Sequence, residues 1–205
     1  MKKYAGHPGE LELDQDWMRS EHVGFHDTAE QETLKGRCHC GGVEFEVTRP
    51  STESEDIEFG EHISQCGGEL CDRPSQVKFM AELCVCDSCR LASGCEIMAW
   101  ALIPHHRIRS ITGEPILFPP MIGSMKRYTS SSSTDRYFCG GCGAVIFCVQ
   151  KAHPRLLSVA VGVLDATSGA RVTNWLDWNT KSVAHSQDGL NRALLTADLI
   201  HQKQA

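Results

Sequence analysis

Short strand-like runs broken by glycine, proline and serine, three cysteine clusters spaced as metal ligands, and one terminal segment of helical periodicity together predict a fold class. It is a mainly β protein, stapled by metal and ending in a short C-terminal helix. A chain of 205 residues, 41% hydrophobic and 22% charged, suits one domain with extensions.

Residues 1–33 form an acidic N-terminal extension in which Leu11, Leu13, Trp17, Met18 and Val23 are scattered among charges, a pattern for a short helix or a segment draped on the core. The domain itself is expected over 34–185. Period-two alternation begins at Val43, Phe45 and Val47, with Glu44, Glu46 and Thr48 on the other face, so a half-buried strand follows the first cysteine pair. Pro50 to Arg73 reads as a polar, acidic inserted loop, about 50–73. Strands are expected again at Val77–Leu83, Ile97–Ile103, Arg107–Ile111, Ile116–Phe118, Met125–Tyr128, Ala144–Val149 and Leu156–Val163. Within 186–205, Asp188 is placed to cap a helix carrying Leu190, Leu194, Ala197 and Ile200.

Several functions are disfavoured at once. No apolar stretch approaches the ~20 residues that cross a bilayer, and a net charge of -6 argues against a nucleic-acid backbone as partner. Met1 to Asp16 holds no apolar segment resembling a secretion signal. The expectation is a cytoplasmic protein, whose thiols at such spacings favour metal over disulfides.

The cysteine clusters are Cys38-x-Cys40, Cys84-x-Cys86-x-x-Cys89 and Cys139-x-x-Cys142, one sulfur short of two four-sulfur sites. Structural zinc takes four protein ligands, whereas catalytic zinc usually takes three and keeps a position for water or substrate. The count suggests one closed zinc and one open zinc. Cys139-Gly140-Gly141-Cys142-Gly143 has the look of a zinc knuckle that needs a second pair, which Cys38 and Cys40 can supply; Cys84, Cys86 and Cys89 are close enough to share one ion. The competing expectation is that a histidine such as His39 or His105 closes the second site, leaving a non-catalytic, zinc-stabilised binding module. Three thiolates leave a zinc centre near charge -1, a soft environment suited to a thiol as the fourth ligand.

Gly36-Arg37-Cys38-His39-Cys40-Gly41-Gly42-Val43-Glu44-Phe45, Cys84-Val85-Cys86-Asp87-Ser88-Cys89-Arg90 with Gly94, and Arg136-Tyr137-Phe138-Cys139-Gly140-Gly141-Cys142-Gly143-Ala144 resemble the glutathione-dependent formaldehyde-activating enzyme family, which also includes centromere protein V. Ser130 to Ser133 and Val161 to Asp165 agree more weakly, and the resemblance spans roughly Leu34 to Val183. It implies a zinc-containing β-tent fold shared with a Rab accessory protein, and two Zn2+ per chain. The structural zinc would be held by Cys38, Cys40, Cys139 and Cys142, and the catalytic zinc by Cys84, Cys86 and Cys89. It also implies a carbon–sulfur lyase type of activity that joins glutathione to formaldehyde, and hence glutathione or a thiol adduct as the small-molecule partner. The inserted loop and the acidic extension depart from compact members, and either can reshape the pocket. A lyase, isomerase or cyclase acting on a larger, secondary metabolite is therefore the alternative.

Arg90 is expected to offset the anionic zinc centre or grip a substrate carboxylate, and Glu96 to exchange the proton that carbonyl chemistry requires. Asp87, His105 and His106 are the other ionisable neighbours; both histidines are expected at the surface. Of the eleven cysteines, four remain. Cys66 and Cys71 are expected as free thiols in the loop and Cys148 as core. Cys95 is expected as a small buried residue, or else as the ligand that closes the open site. Trp175 and Trp178 suit the core, or the wall of an apolar pocket.

Overall fold

The computed structural model describes residues 32–51, 57–65, 77–179 and 181–189. The acidic extension, most of the inserted loop with Cys66 and Cys71, and the helix expected from Leu190 onward lie outside the described residues. Asp188 ends a single 3-10 turn, Ser186–Asp188.

β1 (Thr33–Arg37) and β2 (Glu44–Thr48) form an antiparallel pair in which Gly36 faces Phe45. A Cβ at Gly36 would fall inside the Phe45 ring, so only glycine lets that ring lie across the strand. Phe45 and Val47 turn inward as their alternation requires, and the Phe45 ring meets that of Phe147 with centroids 5.1 Å apart.

β3 (Ile63–Gln65) pairs with β4 (Val77–Cys84), and α1 (Asp87–Ser93) then leads to β5 (Met98–Pro104), antiparallel to β4. β6 is only Ile108–Arg109, because His105–Arg107 forms a 3-10 turn. The strand expected at Ile116–Phe118 does not form. Pro115 makes one bridge to Arg109, while Pro119 and Pro120 follow directly; prolines on both sides leave too short a run of N–H groups to extend a ladder, and Leu117 is exposed.

β7 (Met125–Ser131), β8 (Thr134–Cys139), β9 (Val145–Gln150) and β10 (Leu156–Ala160) complete an antiparallel meander. After β10 the chain turns through Val161–Val163 and changes sheet at β11 (Leu164–Asp165); β12 (Leu176–Trp178) returns parallel to β4. Two sheets result, one ordered β11-β1-β2-β6 and the other β12-β4-β5-β10-β9-β8-β7, with β3 also on β4.

The core lies where both sheets bury their inner faces, around Leu34, Phe45, Phe79, Ile103, Ile146 and Trp175. Trp175 belongs to this core, with the Arg49 guanidinium 3.9 Å from its ring centroid. Trp178 is half-buried and donates to the Arg171 carbonyl at 2.9 Å. A smaller buried cluster of Cys84, Cys89, Trp100, Cys148 and Ala160 sits apart, against α1. No helix among the described residues is long and apolar enough to cross a membrane.

Candidate metal centres

The first cluster gathers at the ends of β1 and β8. A tight turn after β1 places Cys38 and Cys40, closed by Gly41 N–H to the Cys38 carbonyl at 3.1 Å and Cys38 N–H to the Val43 carbonyl at 3.0 Å. Cys139 ends β8, and the knuckle after it closes through Gly143 N–H to the Cys139 carbonyl at 2.9 Å, with Gly143 at φ +79 where a side chain would be strained. The four sulfurs lie within 4.8 Å of one another; Cys38 to Cys40 is 3.6 Å and Cys40 to Cys139 is 3.5 Å. Sulfurs placed tetrahedrally about zinc at ~2.3 Å stand ~3.8 Å apart, so the donor set fits that ion. Ser124 Oγ is hydrogen-bonded with Cys139 Sγ at 3.2 Å, and the Gly141 and Cys142 amides point at the same sulfur from 3.4 and 3.5 Å. These hydrogen bonds, the one with Ser124 foremost, bring the Cys139 thiol down to about 5.

The second cluster is built by the passage from β4 into α1. Cys84 is the last residue of β4, Cys86 caps α1 by accepting the Cys89 N–H at 3.3 Å, and Cys89 occupies the first turn. Their sulfurs also lie within 4.8 Å of one another, and among the described residues no histidine, carboxylate or further cysteine joins them. A hydrogen bond from Cys84, with help from Arg136, lowers the Cys89 thiol to about 5, while the same bond and burial push Cys84 upward. A cluster that already favours one thiolate is chemically suited to a soft metal ion.

Arg136 is the residue that sequence reasoning left without a role. It is 5% exposed, and Nη2 donates to Cys89 Sγ at 3.5 Å while Nε and Nη1 have no hydrogen-bond partner. The register of β8 on β9 puts it opposite Cys148. Burial opposes its charge, but Cys148, Cys89 and Cys86 outweigh that and raise its pKa. A buried guanidinium among sulfurs, with donors to spare, fits an anionic metal–thiolate centre. The one signal in the sequence was a charged residue inside a run that continues inward as Tyr137-Phe138-Cys139.

The other expected residues are placed as follows. Arg90 directly follows Cys89 and ion-pairs with Asp87 at 3.0 Å, its Nε buried without a partner. Glu96 is exposed on the way from α1 to β5. His105 begins the turn at the far end of β5, roughly 20 Å along the strand from the triplet; it is half-buried, edge-on to Phe118, and burial lowers its pKa. His106 is likewise half-buried, its ring 6.0 Å from that of Phe59, so both histidines keep part of their surface in solvent. His39 is exposed in the first cysteine turn. Cys148 is buried, as expected, but beside the triplet. Cys95 is exposed rather than buried, and its sulfur is not among the clustered ones, because the chain turns outward after the Gly94 cap.

A cavity of about 430 Å3 is bounded by Ala92 and Ser93 of α1, Met98 and Ala99 of β5 and the knuckle at Cys142–Ala144, and none of the triplet cysteines lines it. A second cavity of about 420 Å3 shares Ala144, Gly162 and Val163 with it and is lined by Arg37, His39 and Asp165 as well.

Residues 69–178 match the family model described as glutathione-dependent formaldehyde-activating enzyme. The matched segment holds the triplet, Arg136, Cys139 and Cys142; Cys38 and Cys40 come to the site from outside it. Among solved structures, the chain is similar to a Rhodobacter sphaeroides protein at 20% identity and TM-score 0.41, over 71% of this chain and 99% of that one. No curated protein matches the chain.

Proposed function

We propose, because this chain belongs to the glutathione-dependent formaldehyde-activating enzyme family, that it is a zinc enzyme forming or breaking a carbon–sulfur bond in a glutathione or other thiol adduct of a carbonyl compound. The observation that carries this reading is the inequality of the two cysteine clusters. One gathers four sulfurs and the other three, with no fourth ligand among the described residues. Four suit a structural ion and three leave a position open.

Cys84, Cys86 and Cys89 would hold the catalytic zinc, and Cys38, Cys40, Cys139 and Cys142 the structural one. Bound at the triplet, zinc supplies a Lewis acid that keeps an incoming sulfur as its thiolate. The sulfur attacks the carbonyl carbon, the carbon–sulfur bond forms, and the carbonyl π pair moves onto oxygen. That oxygen takes up the proton the thiol has lost, and the reverse sequence breaks the adduct. Arg136 holds the charge of the sulfur-rich site in balance from its buried side. Trp100 and Cys148 pack against the triplet and keep water from that face. We assign to Arg90 the recognition of a substrate carboxylate, which would replace Asp87 on the guanidinium. Glu96 is our candidate for proton exchange with solvent, to which it is exposed. The nine cysteines of the described residues are unpaired, which suits a reducing compartment such as the cytoplasm.

Cobalt substitution tests the open position, since ligand identity and geometry set the visible bands of that ion. Glutathione is expected to shift the spectrum of the wild type, and a simple thiol without carboxylates to shift it at higher concentration. Should no thiol move the spectrum, in wild type or in Cys95→Ala, the second site is closed and a binding module replaces the enzyme.

A further inference from the structure

We propose that Trp100 and Arg136 are positioning residues that together draw negative charge off the Cys89 sulfur, so that a metal held by the triplet keeps the acidity to bind an incoming thiol as its thiolate. The proposal rests on the thiol–carbonyl reading above and adds to it a device that sets the strength of the metal. Three observations carry it.

The first is convergence on one atom. Arg136 Nη2 donates to Cys89 Sγ at 3.5 Å, and the indole of Trp100 hydrogen-bonds to the same sulfur. An indole has an N–H and no acceptor, so the sulfur accepts from both. Trp100 stands on β5 and Arg136 on β8, with β10 and β9 between them in the sheet. Three strand spacings of about 4.8 Å part the two backbones by roughly 14 Å. Long side chains are needed to meet across that distance, and the residues opposite them on the intervening strands, Ala160 and Cys148, are small.

The second is inequality within the triplet. Cys84 and Cys86 accept the backbone amides of Cys86 and Cys89, which come with the turn into α1. Cys89 accepts two side-chain donors from elsewhere in the chain, one of them charged.

The third is burial. Cys89, Trp100 and Arg136 are all buried, so water does not compete for that sulfur. In such surroundings a hydrogen bond to a charged acceptor is stronger than in solvent.

Hydrogen bonds to a thiolate withdraw electron density from the metal it serves, one of the levers that set the potentials of iron–sulfur and copper–thiolate sites. Three unassisted thiolates leave zinc a weak Lewis acid. With Cys89 donating less, more positive charge remains for the fourth ligand.

The test begins with the wild-type full chain loaded with NMR-active cadmium. A correlation from the Trp100 indole proton to one cadmium resonance, carried through Cys89 Sγ, is expected. The Cys89 amide, which donates to Cys86 Sγ at 3.3 Å, is the positive control. If the amide shows its correlation and the indole shows none, the proposal is overturned without any substitution.

Trp100→Phe then keeps a ring in place and removes the N–H. In the cobalt-substituted protein it is expected to move the sulfur-to-metal charge-transfer bands to longer wavelength at unchanged metal content, because a more electron-rich sulfur gives up an electron more easily. The same substitution in a Cys86→Ser chain, whose remaining cobalt sits at the four-sulfur site, is expected to leave the bands in place. Glutathione is expected to bind the Trp100→Phe protein about tenfold more weakly, the lower end of the usual cost of losing a metal site's outer support. Unmoved bands, or a shift that persists in the Cys86→Ser chain, overturn the tuning. A shift with unchanged glutathione affinity overturns its link to the reaction. If glutathione leaves the wild-type spectrum unmoved, the thiol reading falls instead, and the charge-transfer shift still decides the tuning.

Discussion

Arg136 shows what a single buried charge demands of its surroundings. With one N–H on Cys89 Sγ and two nitrogens unpartnered at 5% exposure, it is costly unless negative charge lies beside it. A metal held by three thiolates supplies that charge, and the arginine in turn favours the loaded site. Arg136→Met is expected to weaken metal binding at the triplet roughly 10- to 100-fold, the usual cost of losing a group that supports metal ligands. Competition with a chromogenic chelator measures this, and the four-cysteine site in the same molecule is the internal control. An equal loss at both sites would show general misfolding, and no loss would refute the pairing. The cysteines were legible in the sequence because ligands to one ion recur at short local spacings. Arg136 was not, because its partners lie on α1 and β9, 47 residues upstream in the case of Cys89. Cys95 was misread for a related reason: the left-handed Gly94 cap, which turns the chain outward, fixes its exposure more than its own size does.

At the scale of elements, the two clusters are anchored differently. Cys86 is both a sulfur of the triplet and the N-cap of α1, accepting the Cys89 amide. Serine is itself a preferred N-cap, so Cys86→Ser removes a thiolate while preserving the start of the helix. Circular dichroism is expected to remain native and zinc content to fall by one. Cys139→Ser acts instead where β8, the knuckle and the Ser124 segment converge on one sulfur. That variant is expected to lose roughly 10 °C or more in melting temperature, because several kcal/mol shift a domain of this size by that much. Equal melting losses in the two variants would contradict the division of roles. β2, β4, β5, β7, β9 and β10 were readable from alternation and apolar runs. β1 was hidden by the glycine that admits Phe45, and β8 by its buried arginine: one residue has no side chain to signal burial, and the other signals exposure. The expected strand at Ile116–Phe118 failed because its prolines speak through missing donors rather than through hydropathy.

For the whole molecule, the four-cysteine cluster fastens the small sheet to the large one, whereas the triplet is local to β4 and α1. Graded chelation is therefore expected to remove zinc in two steps, the triplet first with the fold intact and the second ion together with unfolding, followed by metal analysis and far-ultraviolet circular dichroism. Loss of both ions in one cooperative step would refute that order. The span between Cys40 and Cys139, 99 residues whose sulfurs end 3.5 Å apart, also constrains how the protein is made. At about 5–20 residues per second of synthesis, the first thiol pair leaves the ribosome roughly 5–20 s before its partners exist. The small sheet waits longer, since β1 pairs with β11 at Lys35 and Asp165. Throughout that interval Cys38 and Cys40 stand as an unprotected dithiol, open to oxidants and to competing metal ions, and the yield of active protein will depend on the redox state and zinc supply of the cell that translates it.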